Sequence, residues 1–84
     1  LSGDVTVYWA PGCHLCEPVK ETARTVCTEL GATLVEVDIT GDELLEGRFR
    51  AELPVVMVDG RKAFKYFLDG AELAERIRRH RARA

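Results

Sequence analysis

The stretch Asp4-Val5-Thr6-Val7-Tyr8-Trp9-Ala10-Pro11-Gly12-Cys13-His14-Leu15-Cys16 decides the fold. Its first half is β-branched and aromatic, the composition of a strand, and Ala10-Pro11-Gly12 then breaks it with turn chemistry. From His14 to Leu30 the apolar positions Val19, Ala23, Val26, Cys27 and Leu30 recur at three- and four-residue spacing. Lys20, Glu21, Arg24 and Thr28 lie between them, which is the pattern of an amphipathic helix. Pro18 fits only in the first turn, where its missing N–H has no helical acceptor to lose, so the helix is expected to start at the cysteines. Gly31 supplies its stop.

Working outward, Thr33-Leu34-Val35-Glu36-Val37-Asp38-Ile39 returns to a strand pattern. Strand, crossover helix and strand in this span predict a right-handed parallel βαβ unit. Thr40-x-x-Glu43 has the spacing of a capping box and predicts a short helix through Leu44, Leu45 and Phe49, ended by Glu52-Leu53-Pro54. Val55–Val58 and Arg61–Phe67 flank Asp59-Gly60, the dipeptide that a type I′ hairpin favours, so the last two strands should be antiparallel. Asp69-x-x-Glu72 is a second capping signal, for a closing helix over residues 70–83 with Leu73, Ala74 and Ile77 as its apolar stripe. The predicted order is β-α-β-α-β-β-α in an α/β fold, with residues 1–84 as one domain; 84 residues build a single modest core.

Composition narrows the function classes. The formal charge is −2, and no apolar run approaches the ~20 residues of a membrane span, so neither nucleic acid nor membrane is an expected partner. Charge is uneven: residues 1–60 carry net −7 and residues 61–84 net +5. Arg76, Arg78, Arg79, Arg81 and Arg83 are read as a solvated face near the negative end of the last helix. Three cysteines are too few and too odd for a secreted disulfide framework. Nothing in the chain has the basic, apolar, small-residue order of a secretory leader, and a reducing, cytoplasmic setting is the expectation.

The chemistry lies in Cys13-His14-Leu15-Cys16. A free thiol of pKa ~8.5 is only ~3% ionised at pH 7, whereas a helix start or a C-x-x-C context lowers that pKa to ~7 or below. Cys13, placed at the helix start, is the expected nucleophile. Cys16, one helical turn on, is the expected resolving thiol, able to attack the mixed disulfide that Cys13 forms. His14, between them, either favours the thiolate when protonated or faces solvent. Trp9 either lines the site or packs in the core, and Tyr8 is expected in the core. Cys27 falls on the apolar helix stripe and is expected to pack as a small hydrophobe.

Half of a zinc knuckle is the alternative reading of the pair. A second C-x-x-C or an H-x₃₋₅-H is absent, so no metal site within one chain is expected, although a site shared between chains stays open. A thioredoxin-fold partner or metal-binding module that uses the dithiol only structurally is the corresponding non-enzymatic reading.

Trp9-Ala10-Pro11-Gly12-Cys13-His14-Leu15-Cys16 after a strand, and Leu53-Pro54-Val55-Val56 ahead of Asp59-Gly60, resemble the thioredoxin superfamily. The small size and the Leu-Pro-Val-x-x-x-Asp-Gly run over 53–60 resemble its glutaredoxin-like members. The resemblance implies a three-layer α/β/α fold with a four-stranded mixed sheet, and thiol–disulfide oxidoreductase activity at Cys13 and Cys16. It also implies a cis Pro54 facing the dithiol, with the Leu53 backbone free to pair with bound substrate and with Trp9 and His14 beside it. Several positions depart from the family patterns. Val7 stands where thioredoxins carry a buried acid, and Glu17 where they carry a lysine. Ala10, Glu52-Leu53-Pro54 and Tyr66-Phe67 replace the residues with which glutaredoxins hold glutathione. No bound cofactor is expected, and glutathione enters as a candidate reductant without its usual binding motif. The expected partner is a disulfide-containing protein or a low-molecular-weight thiol, met by a monomer.

Overall fold

The computed structural model describes residues 4–83. Strand β1 (Val5–Trp9) leads to helix α1 (Cys16–Leu30), then β2 (Leu34–Asp38), α2 (Glu43–Phe49), a 3₁₀ turn (Arg50–Glu52), β3 (Val55–Val58), β4 (Arg61–Lys65) and α3 (Gly70–Arg83). The strands lie in the order β2-β1-β3-β4. β1 runs parallel to β2, with Val5 opposite Leu34, and antiparallel to β3, with Val5 opposite Val58. β4 closes the sheet antiparallel to β3. The predicted element order and mixed four-stranded sheet are both present.

Alternation along the strands sorts the core into two faces. Val5 and Val7 of β1, with Val56 and Val58 of β3, pack under α1 and α3 against Val19, Ala23, Val26, Cys27, Leu73 and Ile77. Tyr8 and Val55 point the other way, where Tyr8 stacks on Phe49 of α2 with ring centroids 4.4 Å apart. The helices α1 and α3 therefore cover one face and α2 the other. Gly70 starts α3 where a Cβ would come within 3.3 Å of Thr22 and Val26 of α1, so the two helices meet closely there. Cys27 is buried in this core, as its place on the helix stripe predicted.

Element ends show where local chemistry shifts a boundary. Asp59 and Gly60 take φ of 52° and 76°, the positive values that a type I′ hairpin needs. Asp69 caps α3, its Oδ1 accepting from the N–H groups of Ala71 and Glu72. The N-cap expected at Thr40 lies two residues further on, at Asp42. Asp38 takes the Thr40 N–H, and Gly41, at φ 86°, turns the chain. Asp42 then accepts from Leu45 N–H while Glu46 reaches back to Gly41 N–H. β4 stops at Lys65 rather than running to Phe67, because Tyr66 adopts φ 75° and leaves the strand conformation. Arg81, read as part of a solvated face, donates to the Leu30 carbonyl at the end of α1 at 2.8 Å. No helix among the described residues is long and apolar enough to cross a membrane.

Candidate functional site

The chain between β1 and α1 sets the site. Gly12 takes φ 83°, Cys13 N–H donates to Ala10 O at 3.3 Å, and Cys16 N–H donates to Cys13 O at 3.2 Å. These turns delay the helix: Cys16, not Cys13 or His14, is its first residue, with Leu15 as N-cap. Cys13 therefore sits on the turn, as expected, but three residues ahead of the first helical residue rather than at the helix start. Pro18 falls in the first turn, as its missing N–H requires.

Cys13 and Cys16 form a disulfide with Cα atoms 5.4 Å apart. Their environments differ. Cys16 is fully buried in a cluster with Ala10, Ile39, Phe49, Leu53 and Val55, whereas Cys13 and Trp9 pack against that cluster from its edge, part-exposed. The pair therefore joins a part-exposed cysteine to a fully buried one. His14 and Leu15, between them, are exposed. Of the residues singled out from sequence, Cys13, Cys16, Trp9 and Leu53 come together in this one cluster, and Pro54 follows directly on Leu53. His14 stays outside it.

The Leu53–Pro54 peptide is cis and Pro54 is fully buried. Tyr66, just past the end of β4, and two lysines of β4 hold this loop. Tyr66 N–H donates to Pro54 O at 2.9 Å, and Tyr66 Oη donates to Ala51 O at 3.4 Å. Glu52 pairs with both Lys62 and Lys65, and the Lys62 hydrogen bond holds its carboxyl below the usual glutamate range. Phe67, next along, is 75% exposed.

Sequence reasoning missed Lys20. The helical pattern assigned it to the polar side, yet it is buried, the only charged residue so buried among those described. Its Nζ lies 2.9 Å from Glu17 Oε2 and 3.5 Å over the centroid of the Trp9 ring. The Trp9 Nε1 is itself buried without a hydrogen-bond partner. A signal was present: Cys16, Lys20, Ala23 and Cys27 follow one another at four, three and four residues, so Lys20 lies on the buried stripe. Nearby on β2, the Arg24 guanidinium grips Glu36 through two hydrogen bonds and lowers its pKa. The backbone N–H of Thr40 lowers that of Asp38. Cys27 differs from the pair: burial pushes its thiol pKa up. Among the described residues no group of three or more His, Cys, Asp or Glu is placed to hold a metal ion.

Comparison with known proteins gives the family and the fold. Uncharacterized proteins of Mycobacterium bovis and Mycobacterium tuberculosis are each 33% identical to this chain over 73 residues, covering 81% of it and 75% of their own length. The solution structure of protein Ne2328 from Nitrosomonas europaea superposes with a TM-score of 0.71 at 27% identity, over 90% of this chain and 92% of that one. A protein from X. campestris gives 0.73 at 24% identity, over 89% and 96%. Fasciola hepatica thioredoxin gives 0.64 at 20% identity, over 94% and 81%, a likeness of fold alone. The family model described as "Glutaredoxin-like domain (DUF836)" matches residues 4–78, and the chain accordingly belongs to this glutaredoxin-like family of the thioredoxin superfamily.

Proposed function

We propose that this protein is a thiol–disulfide oxidoreductase that uses Cys13 as nucleophile and Cys16 as resolving thiol. The observation that carries the reading is the asymmetry of the pair: a part-exposed cysteine on the turn, bonded to one buried at the start of α1. Exchange proceeds by thiolate attack on a disulfide sulfur. The Cys13 thiolate attacks one sulfur of a target disulfide, forming a mixed disulfide and releasing the first target sulfur as a thiolate. Cys16 then loses its proton and attacks Cys13 Sγ, which breaks the mixed disulfide and releases the second. Two electrons pass to the target and the Cys13–Cys16 disulfide remains. A low-molecular-weight thiol or a reduced protein returns the two electrons.

The Leu53–Pro54 loop, beside the pair and anchored to β4, is the surface on which substrate backbone would lie, with Trp9 and His14 flanking the reactive sulfur. The chemistry resides on the two sulfurs and calls for no bound cofactor. The partner is a disulfide-containing protein or a small thiol compound, and a reducing, cytoplasmic setting would keep the dithiol charged with electrons. The test is thiol trapping and mass spectrometry across glutathione redox buffers at pH 7. A reversible two-electron transition confined to Cys13 and Cys16, with mixed disulfide accumulating in Cys16→Ser, is the expected result. A pair that never closes in oxidising buffer would refute the reading.

A further inference from the structure

We infer that Lys20 is a positioning residue for the dithiol, placing a buried positive charge beneath it that favours the reduced, thiolate form. The inference rests on the oxidoreductase reading above and concerns the same site. Lys20 lies four residues after Cys16 on α1, roughly 6 Å along the axis and on the same helical face. A helical side chain runs back over the preceding turn, toward the helix N-terminus. Lys20 follows this rule: its Nζ meets Glu17, three residues earlier, and covers the ring of Trp9, which packs against the Cys16 cluster.

The surroundings decide the sign. The Lys20 side chain is 6% exposed and that of its partner Glu17 69%, so water screens the carboxylate far more than the ammonium. Trp9 presents only the face of its ring. On β2, Glu36 and Asp38 also feel the Lys20 charge, but Arg24 and Arg50 act on them too. The site facing α1 from β1 is Val7, fully buried and apolar, so no carboxylate opposes Lys20 from that strand. Of Lys20, Arg24, Arg50, Glu17, Glu36 and Asp38, Lys20 alone is buried, so the least screened charge beside the cluster is positive.

A positive field stabilises a thiolate over both thiol and disulfide. When two molecules of glutathione reduce the pair, the Cys13–Cys16 bond breaks and a glutathione disulfide bond forms. The two thiol protons of glutathione go to Cys16 and, where Cys13 remains a thiolate, to solvent. Lys20 draws this equilibrium toward the dithiol and makes the protein a weaker reductant than it would otherwise be. With Glu17 offsetting part of the charge, about a tenfold effect on the reduction equilibrium is expected, which is ~30 mV for two electrons.

The test compares the full chain with Lys20→Met, Lys20→Gln and Lys20→Arg, each checked for native far-UV dichroism. The readouts are the reduced fraction across glutathione buffers and the pH dependence of alkylation of the reduced protein. The neutral variants should lower the reduction equilibrium constant about tenfold and raise the thiol pKa by about one unit, while Lys20→Arg keeps both near wild type. Folded neutral variants with wild-type values would overturn the inference. A second measurement needs no substitution: the Lys20 Nζ resonance in the reduced wild type should move in step with ionisation of the thiol read by alkylation, and a flat response there would equally overturn it. A wild type that fails to cycle defeats the oxidoreductase reading; a wild type that cycles beside unshifted variants defeats only the role of Lys20.

Discussion

The two ends of α1 each bury a cysteine, and the two sulfurs have opposite surroundings. At its start Cys16 is bonded to a part-exposed partner on a glycine-containing turn, with a buried lysine one turn on. Eleven residues later Cys27 sits among Val26, Ala23, Leu73 and Ile77, and burial raises its thiol pKa. Both are almost wholly shielded from solvent, so burial does not separate a reactive thiol from a structural one. What separates them is the partner: Cys16 is bonded to a part-exposed cysteine, and Cys27 is free. At the other end the thiol packs in hydrocarbon, with Asp4 and Arg81 acting on it in opposite directions.

The sharpest way to break this contrast is to exchange the roles. Cys13→Ser should abolish disulfide reduction, a loss on the order of 10³-fold or more, because the nucleophile is gone. Cys27→Ser should leave the rate unchanged and instead lower stability by about 1–3 kcal/mol, the cost of a buried hydroxyl without a partner. Insulin reduction and urea melts on the two variants test both halves. Catalysis lost in Cys27→Ser at full stability would put a second redox thiol at the far end of the helix.

A second comparison sets the two faces of the sheet against each other. Ile77 and Leu73 of α3 close the face that holds Cys27, and Ile77 is 1% exposed. Truncating it in Ile77→Ala should cost about 2–5 kcal/mol, a large fraction of the ~4–12 kcal/mol that a chain of this size holds. Leu44, on α2 over the other face, is 71% exposed, and Leu44→Ala should stay within about 0.5 kcal/mol. Equal midpoints in urea for the two variants would show that α3 adds little to the core.

Much of this was legible because it is periodic. Strand alternation, the helical stripe through Val19, Ala23 and Cys27, and the Asp59-Gly60 turn each follow from local sterics, and the structure contains all of them. Lys20 was misread although its spacing puts it on that stripe, since a lysine on an amphipathic helix is ordinarily solvated; Glu17 and the Trp9 ring are what its buried ammonium meets. The start of α1 was misplaced by the turns that Gly12 and Cys13 make, which depend on a backbone conformation that spacing does not specify.

The start of α2 was misplaced for a related reason, and it gives a smaller prediction. Thr40 and Asp42 both suit an N-cap, but Asp38 already holds the Thr40 N–H, leaving Asp42 to accept from Leu45. Asp42→Ala should therefore cost about 1 kcal/mol, the usual worth of a cap. Thr40→Ala keeps the N–H that Asp38 accepts and should stay within about 0.5 kcal/mol. The reverse ranking in thermal melts would restore the cap to Thr40.

The smallest effect concerns how β4 and the residue after it hold the Leu53–Pro54 loop, by charge at Glu52 and by a backbone hydrogen bond at Tyr66. The Lys62 hydrogen bond depresses the Glu52 pKa in the folded chain. A depressed carboxyl contributes stability above its unfolded pKa of ~4.3, and that contribution disappears as pH falls through the folded value. The Glu52→Gln variant should thus have a lower urea midpoint than wild type at pH 7, and the gap should close as the pH is taken well below 4.3, or as salt is raised. A gap that persists in acid would mean the side chain acts by packing rather than by charge. The exchange rate of the Tyr66 amide, which donates to Pro54, separates the two anchors. Unchanged protection in Glu52→Gln assigns the loop's position to the backbone bond, whereas faster exchange assigns it to the ion pair.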